Sequence, residues 1–132
     1  MMKILRTSLW AIGLLMVAQQ MNGQNENMPT LATYYFVELV PNPERDSISP
    51  SESQKILNQH LKNIKEMAQQ GRLLLAGPFA DGGGLFILDA KSKKEAESWV
   101  MEDPAVKAKV FNFELRKWFT EKGMLSLETK EE

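Results

Sequence analysis

Two side chains in this 132-residue sequence set a titratable group in an apolar context: His60 and Asp103. His60 is the sole histidine. It stands within one helical turn of Ile56, Leu57 and Ile64. An imidazole ordinarily titrates near pH ~6.5, so it can serve as general acid or general base at neutral pH. The plainer reading is a histidine at the edge of the core, bonded to a backbone carbonyl, because a buried polar group left unpaired costs on the order of 1–3 kcal/mol. Asp103 follows Trp99 by four residues and Val100 by three, and so extends the apolar stripe of a helix. A carboxylate at a helix C-terminus lies on the unfavourable side of the macrodipole. One explanation is capping, with Asp103 as N-cap and Pro104 at the first position of a new turn. The other is a site role. The two are compatible, since one carboxylate oxygen can cap while the other meets His60. Such a pair would fix the imidazole tautomer and move protons without a metal or a cofactor.

Composition removes the main competitors. Cysteine is absent, which excludes disulfides, thiolate nucleophiles, Fe–S clusters and Cys-ligated zinc. A single histidine excludes a multi-histidine metal site within one chain. Sixteen Lys and Arg against 17 Asp and Glu leave a formal charge of −1, so neither nucleic acid nor an anionic membrane is an expected partner. Asp81-Gly82-Gly83-Gly84 lacks the Gly-Lys-Ser/Thr ending of a phosphate loop and reads as a hairpin tip. Lys91, Lys93 and Lys94 read as a solvated helix start. Trp99 and Trp118 read most simply as core or interface residues. Tyr34, Tyr35, Glu38 and Arg116 fall on strands, where a cavity lining and a subunit interface are both open.

The elements that must position the pair follow from periodicity. Thr30 to Val40 is β-branched, aromatic and apolar on both faces, the pattern of a strand covered on both sides. Ser49-Pro50-Ser51-Glu52 opens a helix predicted to reach Gln70 and to stop at Gly71. On it Ile56, Leu57, Leu61, Ile64, Met67 and Ala68 share one arc, with His60 inside it. Arg72–Ala76 and Leu85–Ala90 are short apolar strands joined by turn residues. Ser92-Lys93-Lys94-Glu95 opens a second helix, burying Ala96, Trp99 and Val100. Lys109–Phe119 is a final strand with Phe111, Phe113, Leu115 and Phe119 on one face. The order β-α-β-β-α-β is that of a ferredoxin-like α+β sandwich, with strands one and three central. Both helices then lie as antiparallel neighbours on one sheet face. The other face stays apolar, and a homodimer through that face is the expected way to cover it.

The N-terminus carries a different signal. Lys3 and Arg6 precede an uncharged apolar run from Leu9 to Ala18. That run is half the length of about 20 residues that a membrane span needs, and a polar stretch follows it. Residues 1–23 are therefore expected to be a signal peptide, residues 24–30 a polar linker, 31–119 the domain and 120–132 a charged tail. A periplasmic or extracellular location follows, with no stable membrane anchor after cleavage.

The ordered set of His60-Leu61, then Gly71-Arg72-Leu73-Leu74-Leu75-Ala76-Gly77-Pro78, Gly84-Leu85-Phe86-Ile87-Leu88, Glu95-Ala96 and Asp103-Pro104, through to Trp118, resembles the YCII-related (YciI-like) family. The resemblance implies a dimeric α+β fold of the dimeric α/β-barrel type, with a pocket holding a histidine and an aspartate at His60 and Asp103. It also implies enzymatic function without naming a substrate. The apparent signal peptide and the long loop before Ser49 depart from the usual pattern. Two readings stand. One is an exported enzyme without metal or cofactor, in which His60 and Asp103 carry lyase, isomerase or hydrolase chemistry on a small organic molecule. The other is a non-catalytic dimer, ligand-binding or structural, in which the same pair fixes helix packing.

Overall fold

A computed structural model describes residues 29–125 of the chain. The expected signal peptide, most of the linker and the end of the tail lie outside the described residues. Seven elements follow one another: β1 (Leu31–Pro41), α1 (Pro50–Gln69), β2 (Leu73–Pro78), β3 (Gly84–Leu88), α2 (Lys93–Met101), α3 (Pro104–Lys107) and β4 (Phe111–Glu121). The strands form one antiparallel sheet in the order β2-β3-β1-β4, so β1 and β3 are central as their apolar character requires.

Local chemistry explains the element ends. Ser49 Oγ accepts the Glu52 N–H at 3.2 Å, and Pro50 supplies the first helical residue of α1. Gly71 follows at φ 72°, the left-handed conformation that ends a helix with least steric cost. Ser92 Oγ caps α2 through the Glu95 N–H at 3.1 Å, while the Glu95 carboxylate accepts the Lys91 N–H at 2.7 Å.

The core fills the space between one sheet face and the helices. Tyr35, Val37 and Leu39 of β1 meet Leu73, Phe86 and Leu88 from β2 and β3. Met67 of α1 and Ala96 and Val100 of α2 close over them. Phe111, Phe113 and Leu115 of β4 pack partly buried at its side. Phe119, expected on that same face, is 53% exposed, with the Lys117 ammonium 5.2 Å from its ring.

Two expectations need correction. The principal helical neighbour of α1 is the short α3 rather than α2, because Asp103-Pro104 starts a new helix before the chain returns to β4. Of the apolar arc on α1, Ile56, His60 and Met67 are buried, whereas Ala68 is exposed and Leu57 and Leu61 are 46% and 53% exposed. The arc is wider than the strip that the sheet covers. The alternation along β1 holds: Tyr35 joins Val37 and Leu39 in the helix-side core, and Tyr34 faces the open side of the sheet.

Candidate functional site

Asp103 is fully buried and sits between α2 and α3. Its Oδ1 accepts the Ala105 N–H at 2.9 Å and the Val106 N–H at 3.3 Å, which caps α3. His60 Nδ1 lies 2.9 Å from Oδ1 and 2.8 Å from Oδ2. Asn63, one turn beyond His60 on α1, donates its Nδ2 to Oδ2 at 2.9 Å. Capping and pairing with the histidine therefore coexist on one carboxylate.

This arrangement selects the tautomer of a neutral ring. An ionised carboxylate only accepts, so Nδ1 carries the hydrogen and donates it. The neutral imidazole then keeps its lone pair on Nε2. Phe86 and Phe111 hold the ring from two sides, each with its centroid 6.0 Å away, Phe86 at an interplanar angle of 24°. Among the described residues every fully buried side-chain nitrogen or oxygen has a hydrogen-bond partner. His60 Nε2 has no hydrogen-bond partner among the described residues.

His60 also lines a cavity of about 360 Å³ between α1 and the β2–β3 hairpin. Leu57, His60, Leu61 and Ile64 form its helical wall, Leu39, Phe86 and Phe111 its sheet wall, and the backbone of Gly77-Pro78 and Gly83-Gly84 its outer edge. His60 is the one lining residue with a polar side chain. The two glycines are what let the hairpin lie so close. A side chain at Gly83, whose φ is 75°, would strike the Leu39 carbonyl, and one at Gly84 would come within 2.6 Å of the Gly77 carbonyl oxygen. Sequence reading places Gly83 in a turn but gives no sign that this turn borders a cavity. It likewise assigns Leu57 and Leu61 to the core, and it passes over Asn63. The available signal for Asn63 is its spacing of three from His60 on a helix.

The other side chains noted in the sequence lie elsewhere. Trp99 packs under the Arg72 guanidinium at 5.0 Å. Trp118 pairs with Tyr34 at 6.2 Å on the open sheet face, where Glu38 and Arg116 also fall. Lys91, Lys93 and Lys94 are exposed. Among the described residues no three His, Asp or Glu side chains gather as a metal-binding group.

Fold and connectivity define an α+β protein with one four-stranded antiparallel sheet, helices on one of its faces, and the split βαβ strand order. The YCII-related domain model matches residues 33–118, and the chain belongs to that family. Among solved structures it is similar to 5-chloro-2-hydroxyhydroquinone dehydrochlorinase (TftG) from Burkholderia phenoliruptrix AC1100, in complex with 2,5-dihydroxybenzoquinone. The TM-score is 0.51 at 21% sequence identity, over 64% of this chain and 92% of that one, a likeness of fold. No curated protein sequence matches the chain.

Proposed function

We propose that this protein is an exported enzyme that transfers a proton on a small, uncharged organic molecule held in the cavity beside His60. The observation that carries this reading is the single polar side chain in an otherwise apolar lining: a histidine whose Nδ1 is held by a buried carboxylate, which leaves Nε2 as the nitrogen to serve the cavity. Nε2 takes the proton as general base and returns it, as general acid, to another atom of the substrate or to a leaving group. Asp103 fixes the tautomer and stabilises the imidazolium that forms. Lyase, isomerase and hydrolase chemistry all begin with such a step. The lining holds no lysine or arginine for a carboxylate or phosphate, and burying an unpaired charge there would be costly, which favours a neutral substrate. The protein of the similar solved structure acts on 5-chloro-2-hydroxyhydroquinone, which makes hydroxylated rings the first class to screen.

The test is a screen of neutral phenols, quinols and matched carboxylates for turnover, repeated with His60→Gln. Turnover of a neutral ring compound that falls by about 10²–10⁴ in the variant supports the reading. Turnover that survives the loss of His60 ends it.

A second reading rests on the complete burial of Asp103 and its bonds to both α1 and α3. In it the pair pins the helices of a non-catalytic dimer, ligand-binding or structural, and Asp103→Asn lowers stability with no activity to lose. In either case we read the open sheet face as the contact of a homodimer. Residues 1–23 we read as a cleaved signal peptide that delivers the chain to the periplasm or beyond the cell; the intact mass of the exported protein, which should begin near residue 24, checks this.

A further inference from the structure

On the sheet face away from the helices, β1 and β4 place two carboxylates side by side. Glu38 and Glu114 are direct cross-strand partners. Their neighbours Val37–Leu115 and Leu39–Phe113 point to the helix-side core, so both glutamates share the open face. Like charges directly opposite on a sheet destabilise it. Among the described residues neither glutamate takes part in an ion pair, the pairs there being His60–Asp103, Lys62–Glu66 and Arg72–Glu102. Glu38 is half-buried, with Leu85 across from it on β3 and Phe36 and Val40 on its own strand. The nearest cross-strand step on the same face brings Arg116, partner of Phe36, with its guanidinium 5.4 Å from that ring rather than on either carboxylate.

The surroundings are apolar. Ile87, on the same face as Phe36, is only 4% exposed. Tyr34 and Trp118 pack at one end with their rings tilted by 39°, and Leu75 is 43% exposed at the other edge. A face of this kind combines a doubly negative spot and a guanidinium one cross-strand pair apart. It is complementary to itself after a two-fold rotation, the self-matching that an isologous contact requires.

We infer that two copies of this chain pack open face to open face, with Arg116 of each copy seated between Glu38 and Glu114 of the other. The inference rests on the reading of the open face as a homodimer contact and adds the contact that fixes its register. Planar guanidinium groups bind carboxylates through two parallel hydrogen bonds, and a pair of carboxylates engages its donors more fully than one. Because the axis is two-fold, the contact occurs twice, and each copy loses the repulsion it carries alone.

Sedimentation equilibrium of the purified protein tests this. The wild type should be a dimer. Arg116→Glu and, separately, Glu38→Lys with Glu114→Lys should each weaken association by on the order of a hundredfold or more. An equimolar mixture of these two variants should form a heterodimer near wild-type strength, because the charges are exchanged rather than removed. Arg116→Gln, milder to the fold, should fall between wild type and Arg116→Glu. A wild-type chain that stays monomeric overturns both the dimer and its register. A wild-type dimer that Arg116→Glu does not weaken, or a variant mixture that fails to associate, overturns the register and leaves the dimer standing.

Discussion

The carboxylate of Asp103 gathers four donors, two backbone amides of α3 and two side chains of α1, inside the protein. Charge-assisted bonds of this kind are stronger than neutral ones, and each depends on the carboxylate being ionised. Asparagine at this position keeps the cap, through its one carbonyl oxygen, but turns an amide hydrogen toward either His60 or Asn63. Asp103→Asn should therefore cost about 2–4 kcal/mol in urea unfolding and should shift the proton of His60 away from Nδ1. With a single histidine in the chain, imidazole 15N shifts read that tautomer without assignment. Asn63→Ala removes one donor and leaves the His60 contact, so about 1 kcal/mol is expected with the tautomer unchanged. A tautomer indifferent to Asp103→Asn would remove the basis for a poised Nε2. His60 and Asp103 were legible in the sequence because a polar residue in an apolar stripe is an anomaly that burial must explain. Asn63 was not, since an asparagine on the polar side of an amphipathic helix looks the same whether it meets water or a buried carboxylate.

At the scale of elements, periodicity and capping chemistry located every strand and both long helices to within a few residues. What they did not show was how far one element covers another. Leu57 and Leu61 satisfy the helical pattern as fully as Met67, yet only Met67 lies over the sheet; the other two rim the cavity. That difference depends on where the β2–β3 hairpin ends, which no helical period encodes. Gly83 governs the hairpin's approach. Its positive φ disfavours any side chain, and a Cβ there would meet backbone that has no room to yield. Gly83→Ala should cost at least about 2 kcal/mol by chemical denaturation, and the hairpin should withdraw from Leu39. Gly77, also on the cavity edge, has open space around its Cβ position. Gly77→Ala should stay within about 1 kcal/mol of wild type. Equal losses from the two substitutions would mean that the hairpin is not held by close approach at Gly83.

At the scale of the whole domain, the candidate site and the open face lie on opposite sides of one sheet. The helix side holds the cavity and the His60–Asp103 pair, while the open side carries aromatic, aliphatic and charged residues that no described helix covers. The strand order follows from the alternation of helix and strand segments, and the apolar outer face of β1 was visible in its sequence. The identity of the cover is not a property of one chain's periodicity, because it depends on complementarity between surfaces. Mass action separates the two faces experimentally. If a second copy covers the open side, folding is linked to association, and the thermal midpoint must rise with protein concentration. Leu61→Gln, on the cavity rim, should leave that dependence intact while weakening ligand binding. Arg116→Glu should flatten the dependence and leave the cavity unchanged. A midpoint that stays constant over a hundredfold range of wild-type concentration would mean that the open face is bare in solution. The cavity and the His60–Asp103 pair, on the other face, would then be complete in a monomer.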